Sequence, residues 1–327
     1  MGPYGIAPRA ADDGEIHKDL GWQLNLVFWL LTSLSTIFLG LRVYCKFLRG
    51  RKLWWDDYFL IASWVSLVVS AGTTSACVTL GYGKSAVDTP LDTLPKMRLI
   101  AVFAGFFSVL AATWSKTSFG LTLLRLCQDW TKYFIWFLII TMNAIMGTAM
   151  LLMWVKCRPF AKVWDVDIDG SCIDPKKIVY MYQWSAGWSG SCDVLLALLP
   201  WTILFSMRQT LNIKERIGIA VAMSMGIVAG VASFVKMVML PKLTGDPTET
   251  VAVTIWGGAE GSITIIAASI PVLRALIRGE KDRSTDAKFD THDERRLNTT
   301  SLETLTASTR KTEPDQDVYI YGAYSAP

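Results

Sequence analysis

The run YFIWFLIITMNAIMGTAMLLMWV, Tyr133–Val155, holds no charged side chain and few polar ones. A helix of about 20 residues crosses the roughly 30 Å hydrocarbon core of a bilayer, so this run is long enough to span one. Six further stretches resemble it: Leu24–Cys45, Tyr58–Leu80, Leu99–Leu126, Val179–Phe205, Ile217–Leu240 and Val251–Leu276. In lipid every backbone donor and acceptor must be satisfied within the protein, which for runs of this length means helices. The fold expected is an all-α membrane protein, a seven-transmembrane helix bundle. The Val179–Phe205 and Val251–Leu276 stretches carry many small and polar residues and read as spans by length and context.

Composition agrees with that reading. The chain has 327 residues, 52% hydrophobic and 18% charged, with a mean hydropathy of +0.34, which is the membrane class. The net charge of +4 sits at the ends of the apolar stretches and points to no nucleic-acid partner; the partner expected first is the lipid bilayer. Residues 1–22 form a polar tail without the apolar core of a signal peptide, so the first span is expected to act as its own insertion signal. The membrane domain covers 23–277. Residues 278–327, rich in Ser, Thr, Asp, Glu and Lys, are expected to be a disordered cytosolic tail.

Orientation follows from Lys and Arg. Lys46, Arg49, Arg51 and Lys52 follow the first span while the N-terminal tail is acidic, which places the N-terminus outside. The connection between the fourth and fifth spans then lies outside, although it also carries Lys156, Arg158, Lys162, Lys176 and Lys177. Cys157 and Cys172 share that connection. A bridge between them would close a loop of about 15 residues, worth about 3 kcal/mol in the chain-entropy picture, and would persist on an oxidising face. Two free thiols is the other reading. The destination is a multi-pass position in the plasma membrane or a membrane of the secretory pathway.

Ionisable residues inside a membrane are costly and so read first as paired or functional. Four stand in the spans: Lys116, Asp193, Lys236 and Glu260. At a rise of 1.5 Å per residue, Lys116 and Asp193 lie at a common depth of about 22–27 Å from the outer face and Glu260 at about 15 Å. Lys116 and Asp193 are therefore expected to pair or share a polar network, with Glu260 next nearest. Such a pair either fixes helix register or does chemistry. Lys236, near the outer end of its span, is expected to snorkel to the surface as an anchor. Glu260 lies in Gly257-Gly258-Ala259-Glu260-Gly261-Ser262, a run that lets a neighbouring helix or a ligand approach closely. It reads either as a neutral acid in a small-residue packing face or as part of a site. Ser63, Ser66, Ser70 and Thr73 line one face of the second span, and Ser185, Ser189 and Cys192 one face of the fifth, beside Trp184 and Trp188. These stripes mark the polar interior.

Several chemistries are disfavoured. His17 and His292 both lie in the tails, so no histidine cluster holds a metal; no cofactor is expected. There is no phosphate-cradling glycine loop and no nucleophile elbow. The seventh span has no lysine to form a retinal Schiff base.

The motifs now accumulate: Trp55-Asp56-Asp57-Tyr58, Gly81-Tyr82-Gly83-Lys84, Lys116-x-Ser118, Leu124-Arg125-Leu126, Cys157-Arg158-Pro159, Trp164-Asp165, Gly170-x-Cys172, Leu199-Pro200, Ile255-Trp256 and Pro271-x-Leu273-Arg274. In this order and spacing the chain resembles the fungal rhodopsin-domain integral membrane proteins, a group with receptor-like members and members encoded in secondary-metabolite clusters. The resemblance implies seven helices, an outside N-terminus and a Cys157–Cys172 bridge. Structural roles are expected of Arg42, Asp57, Arg125, Pro200, Pro271 and Arg274. Two functions compete. One is a receptor-like protein that senses a small molecule, without retinal, and hands the signal to a cytosolic protein. The other is a membrane protein of a secondary-metabolite pathway, with Asp193 or Glu260 as the acid of an intramembrane cyclisation. A transporter ranks third, since no internal repeat is visible.

Overall fold

The computed structural model describes residues 20–48, 50, 52–83, 91–125, 130–165, 167–206, 213–242, 249–270 and 273. Pro271, Arg274 and the two tails lie outside the described residues, as does the side chain of Pro200. Among the described residues seven long helices run in chain order: α1 (Gly21–Leu48), α2 (Trp55–Thr79), α3 (Leu94–Leu124), α4 (Trp130–Val155), α5 (Pro175–Ser206), α6 (Ile213–Met239) and α7 (Glu249–Ile270). Each expected span coincides with one of them. The helices begin two to five residues before the apolar runs, because polar first turns are helical too. At the head of α2 the Asp57 carboxylate accepts from the Trp54 backbone N–H at 3.1 Å, and Asp56 and Asp57 both favour the positive end of the helix. Pro95 occupies the first turn of α3, where its missing N–H costs nothing.

The bundle is apolar outside and buries many polar and charged side chains. Leu30, Ile37, Phe137, Ile140 and Leu151 are exposed, whereas Ser63, Ser118, Lys116 and Glu260 are fully buried. A water-soluble fold shows the opposite distribution; lipid selects this one. Five of the helices (α1, α2, α3, α4 and α7) are each long and apolar enough to cross a membrane, and α6 contains the shorter apolar segment Met223–Met239. The chain is a multi-pass membrane protein.

Serine hydroxyls fasten α2 to α3. Ser63 donates to the Ala111 carbonyl at 2.7 Å and Ser70 to that of Ala104 at 2.9 Å, while Ser66 and Thr73 bond carbonyls of their own helix. Leu24, Phe28, Leu60, Leu67, Ile135, Met142 and Ile265, from α1, α2, α4 and α7, belong to one buried apolar cluster. The α4–α5 connection forms a two-stranded antiparallel ribbon, β1 (Cys157–Arg158) against β2 (Ser171–Cys172). Cys157 and Cys172 are disulfide-bonded across it. Aromatic contacts of Phe103 and Phe106 with Trp154 place the start of α3 at this same end of the bundle.

Close approach explains Gly258 of α7. A Cβ on Gly258 would lie 2.5 Å from Cε2 of the Phe28 ring on α1, nearer than any real Cβ sits. Gly258→Ala is therefore expected to cost about 1–3 kcal/mol by overpacking. The cost should appear as a lower thermal unfolding midpoint in detergent, and Phe28→Leu in the same chain should recover most of it.

Candidate functional site

Four charges from four helices meet inside the bundle. Lys116 on α3 has its ammonium 2.8 Å from Asp193 Oδ2 on α5 and 2.5 Å from Glu260 Oε1 on α7. Lys236 on α6 reaches Glu260 Oε2 at 2.5 Å. The order is Lys236, Glu260, Lys116, Asp193, with signs alternating and formal charges summing to zero. Ser189 completes the cage: it accepts from Lys116 and donates to Glu260 Oε1 at 2.9 Å. Ser233 approaches Asp193 at 3.5 Å. Unpaired, four charges in hydrocarbon would cost on the order of 10 kcal/mol, comparable to the whole stability of a domain. Pairing is therefore a condition of folding, and each carboxylate lies against an ammonium group.

A second cluster lies at the bundle end away from the disulfide. Arg42 on α1 bonds Asp57 Oδ1 at 3.0 Å, Asp56 Oδ2 at 2.7 Å and the Ala268 carbonyl on α7 at 2.5 Å. Lys46 lies 2.5 Å from Asp57 Oδ2, and Arg125 2.8 Å from Asp56 Oδ1. Arg125 also stacks over the Trp54 ring at 4.3 Å. Arg42 and Lys46, four residues apart, thus grip the paired aspartates that open α2. The cluster joins α1, α2, α3 and α7.

Between the charge network and the disulfide end lies a cavity of about 190 Å³. Ser70 and Thr74 of α2, Ala101 and Ser108 of α3, Tyr182 of α5 and Thr254 of α7 contribute to its wall, and Lys236 closes it on the network side. The Tyr82 hydroxyl pairs with Thr254 at 3.0 Å. Burial pushes the Tyr82 phenol above its ordinary value, so it stays a neutral hydroxyl. Among the described residues no group of three His, Cys, Asp or Glu side chains is placed to hold a metal ion.

The sequence-derived candidates divide three ways. Lys116, Asp193 and Glu260 come together, with Glu260 as close to Lys116 as Asp193 is. Lys236 departs from expectation: its side chain is 16% exposed and turns inward. Gly226, Ala229, Ser233 and Lys236 recur at helical spacing, and Ala229 and Ser233 are buried, so Lys236 lies on the inner face of α6. That periodicity was the available signal. Trp184 also departs, being 62% exposed on the outer surface. Trp188 instead packs against the core, and its indole N–H is buried without a partner. Sequence reasoning missed Asp56 and Lys46 as cluster members, although the Arg42/Lys46 spacing and adjacent aspartates hinted at them.

A seven-helix membrane bundle with paired charges in its interior is the class this geometry defines. The fungal rhodopsin domain matches residues 41–279, more than half of the chain, and the chain belongs to that family. The polyenoic acids biosynthesis gene cluster protein Ba17b of Metarhizium anisopliae is similar at 24% identity over 278 residues, covering 79% of this chain and 74% of its own length.

Charge balance makes a specific forecast. Glu260→Gln strands Lys236 and is expected to cost about 3–5 kcal/mol. Adding Lys236→Gln restores the balance, so the double variant should unfold later than Glu260→Gln alone. Unfolding midpoints in micelles measure both, and simple additivity would dissolve the pairing.

Proposed function

We propose that this chain is a receptor-like protein that takes a small lipophilic molecule into the cavity beside Lys236. One observation carries the reading: Lys236 both lines the cavity and holds Glu260. A molecule that favours one placement of the Lys236 ammonium changes the balance of an ion network binding α3, α5, α6 and α7. Such a ligand shifts the helix arrangement by as much as its affinity differs between the arrangements. The Arg42–Asp56–Asp57–Arg125 cluster, which includes α7, offers a place at the opposite end where the change is felt. In this reading the N-terminus is outside, the cavity faces that side, and a cytosolic protein reads the other.

The relative's name supports a second reading, service to a secondary-metabolite pathway, in which the cavity holds an intermediate or product. Acid-initiated cyclisation draws less support from the geometry. Asp193 and Glu260 each lie against a lysine ammonium, and neither borders the cavity.

The test uses purified protein in nanodiscs and a panel of small lipophilic ring compounds. A ligand at about 100 times its Kd should add roughly 2.7 kcal/mol to stability, visible as a raised unfolding midpoint. Ala101→Phe, which fills the cavity from α3, should abolish the shift, and the compound should be recovered unchanged after incubation. No shift with any compound, or equal shifts with Ala101→Phe, would remove the binding reading; a converted compound would favour an enzyme.

A further inference from the structure

The cavity wall indicates what kind of molecule it selects, on the premise that it is a ligand site. Thr74 is 2% exposed, yet its hydroxyl has no hydrogen-bond partner among the described residues; the buried Tyr182 hydroxyl has none there either. Both residues line the cavity. Neighbouring hydroxyls on α2 behave differently, since Ser63, Ser66, Ser70, Thr73 and Ser75 are all bonded. A buried hydroxyl left unpaired is costly, and a ligand oxygen or a water within the cavity relieves that cost.

Charge narrows the choice. Among the described residues Lys236 is the one formally charged residue on the wall, and its ammonium is already matched to Glu260 in a network whose charges cancel. An anionic ligand would have to draw Lys236 away from Glu260 and leave the buried set with surplus negative charge. A cationic one would meet no carboxylate among the described residues of the wall. Size narrows it further. The volume of about 190 Å³ moderately exceeds the roughly 150 Å³ of an engineered cavity that holds benzene.

We infer that this cavity selects a neutral lipophile of about two fused rings carrying one hydroxyl or carbonyl oxygen, which the Thr74 and Tyr182 hydroxyls bind. It discriminates against carboxylates of the same skeleton.

Three probes of one skeleton test this: naphthol, naphthalene and naphthoate. Binding to the full chain in nanodiscs is measured by equilibrium dialysis at neutral pH, with empty nanodiscs as the blank. Naphthol should bind about fivefold to tenfold more tightly than naphthalene, and naphthoate at least about tenfold more weakly than naphthol. Thr74→Val and Tyr182→Phe should each reduce the naphthol advantage over naphthalene without lowering the ligand-free unfolding midpoint, because neither hydroxyl has a partner to lose. Equal binding of all three probes, abolished by Ala101→Phe, would overturn the selectivity and leave the ligand site standing. Tightest binding by naphthoate would overturn it in favour of an anion on Lys236. Binding of none above the blank, or binding indifferent to Ala101→Phe, would overturn the site and the selectivity together.

Discussion

Hydrocarbon cannot hydrate an ammonium or a carboxylate, so every charge carried into a bilayer must find its counter-charge within the protein. Here Lys236, Glu260, Lys116 and Asp193 do so in one alternating series across four helices. The arrangement fixes more than electrostatics. It sets which face of α6 turns inward, the depth at which α7 meets α3, and the side of α5 that carries Ser189. Close packing follows from these settings: Gly230 on α6 approaches the backbone of Gly190 on α5 so nearly that a Cβ there would lie 3.2 Å from its carbonyl oxygen.

The network also gives the proposed function its physical content. A dry apolar cavity can bind a molecule without consequence for the rest of the protein. Contact with Lys236 makes consequence possible, because the ammonium belongs to the cavity wall and to the ion series at once. The same constraint bears on catalysis. A carboxyl group shared between two lysines, as Glu260 is, is ill placed to serve as a proton donor. Binding without conversion fits this chemistry best, whether the molecule is a signal or a pathway product.

The fold was legible because bilayer crossing leaves an unambiguous mark: long apolar runs such as Tyr133–Val155 need no tertiary information to interpret. The Lys116–Asp193 pairing was legible for a related reason, since depth along a helix converts directly to distance. Rotation about the helix axis was harder. Lys236 was placed by depth alone, which made it a surface anchor; the periodicity of Gly226, Ala229 and Ser233 would have turned it inward. Trp184 misled in the opposite sense, since it neighbours a polar stripe in sequence but points to the outer surface. The cavity was not legible at all. It arises from six helices failing to meet, with Thr74 and Tyr182 left unpaired, and no local pattern encodes such a gap.

The charge state of Glu260 tests the central claim most directly. Infrared spectra of the purified protein, taken as the difference between the natural chain and Glu260→Gln at neutral pH, report that state without reference to stability. The account predicts that the substitution removes an ionised carboxylate band. Removal of a protonated carboxylic-acid carbonyl band instead would contradict it, since a neutral Glu260 could not balance Lys116 and Lys236.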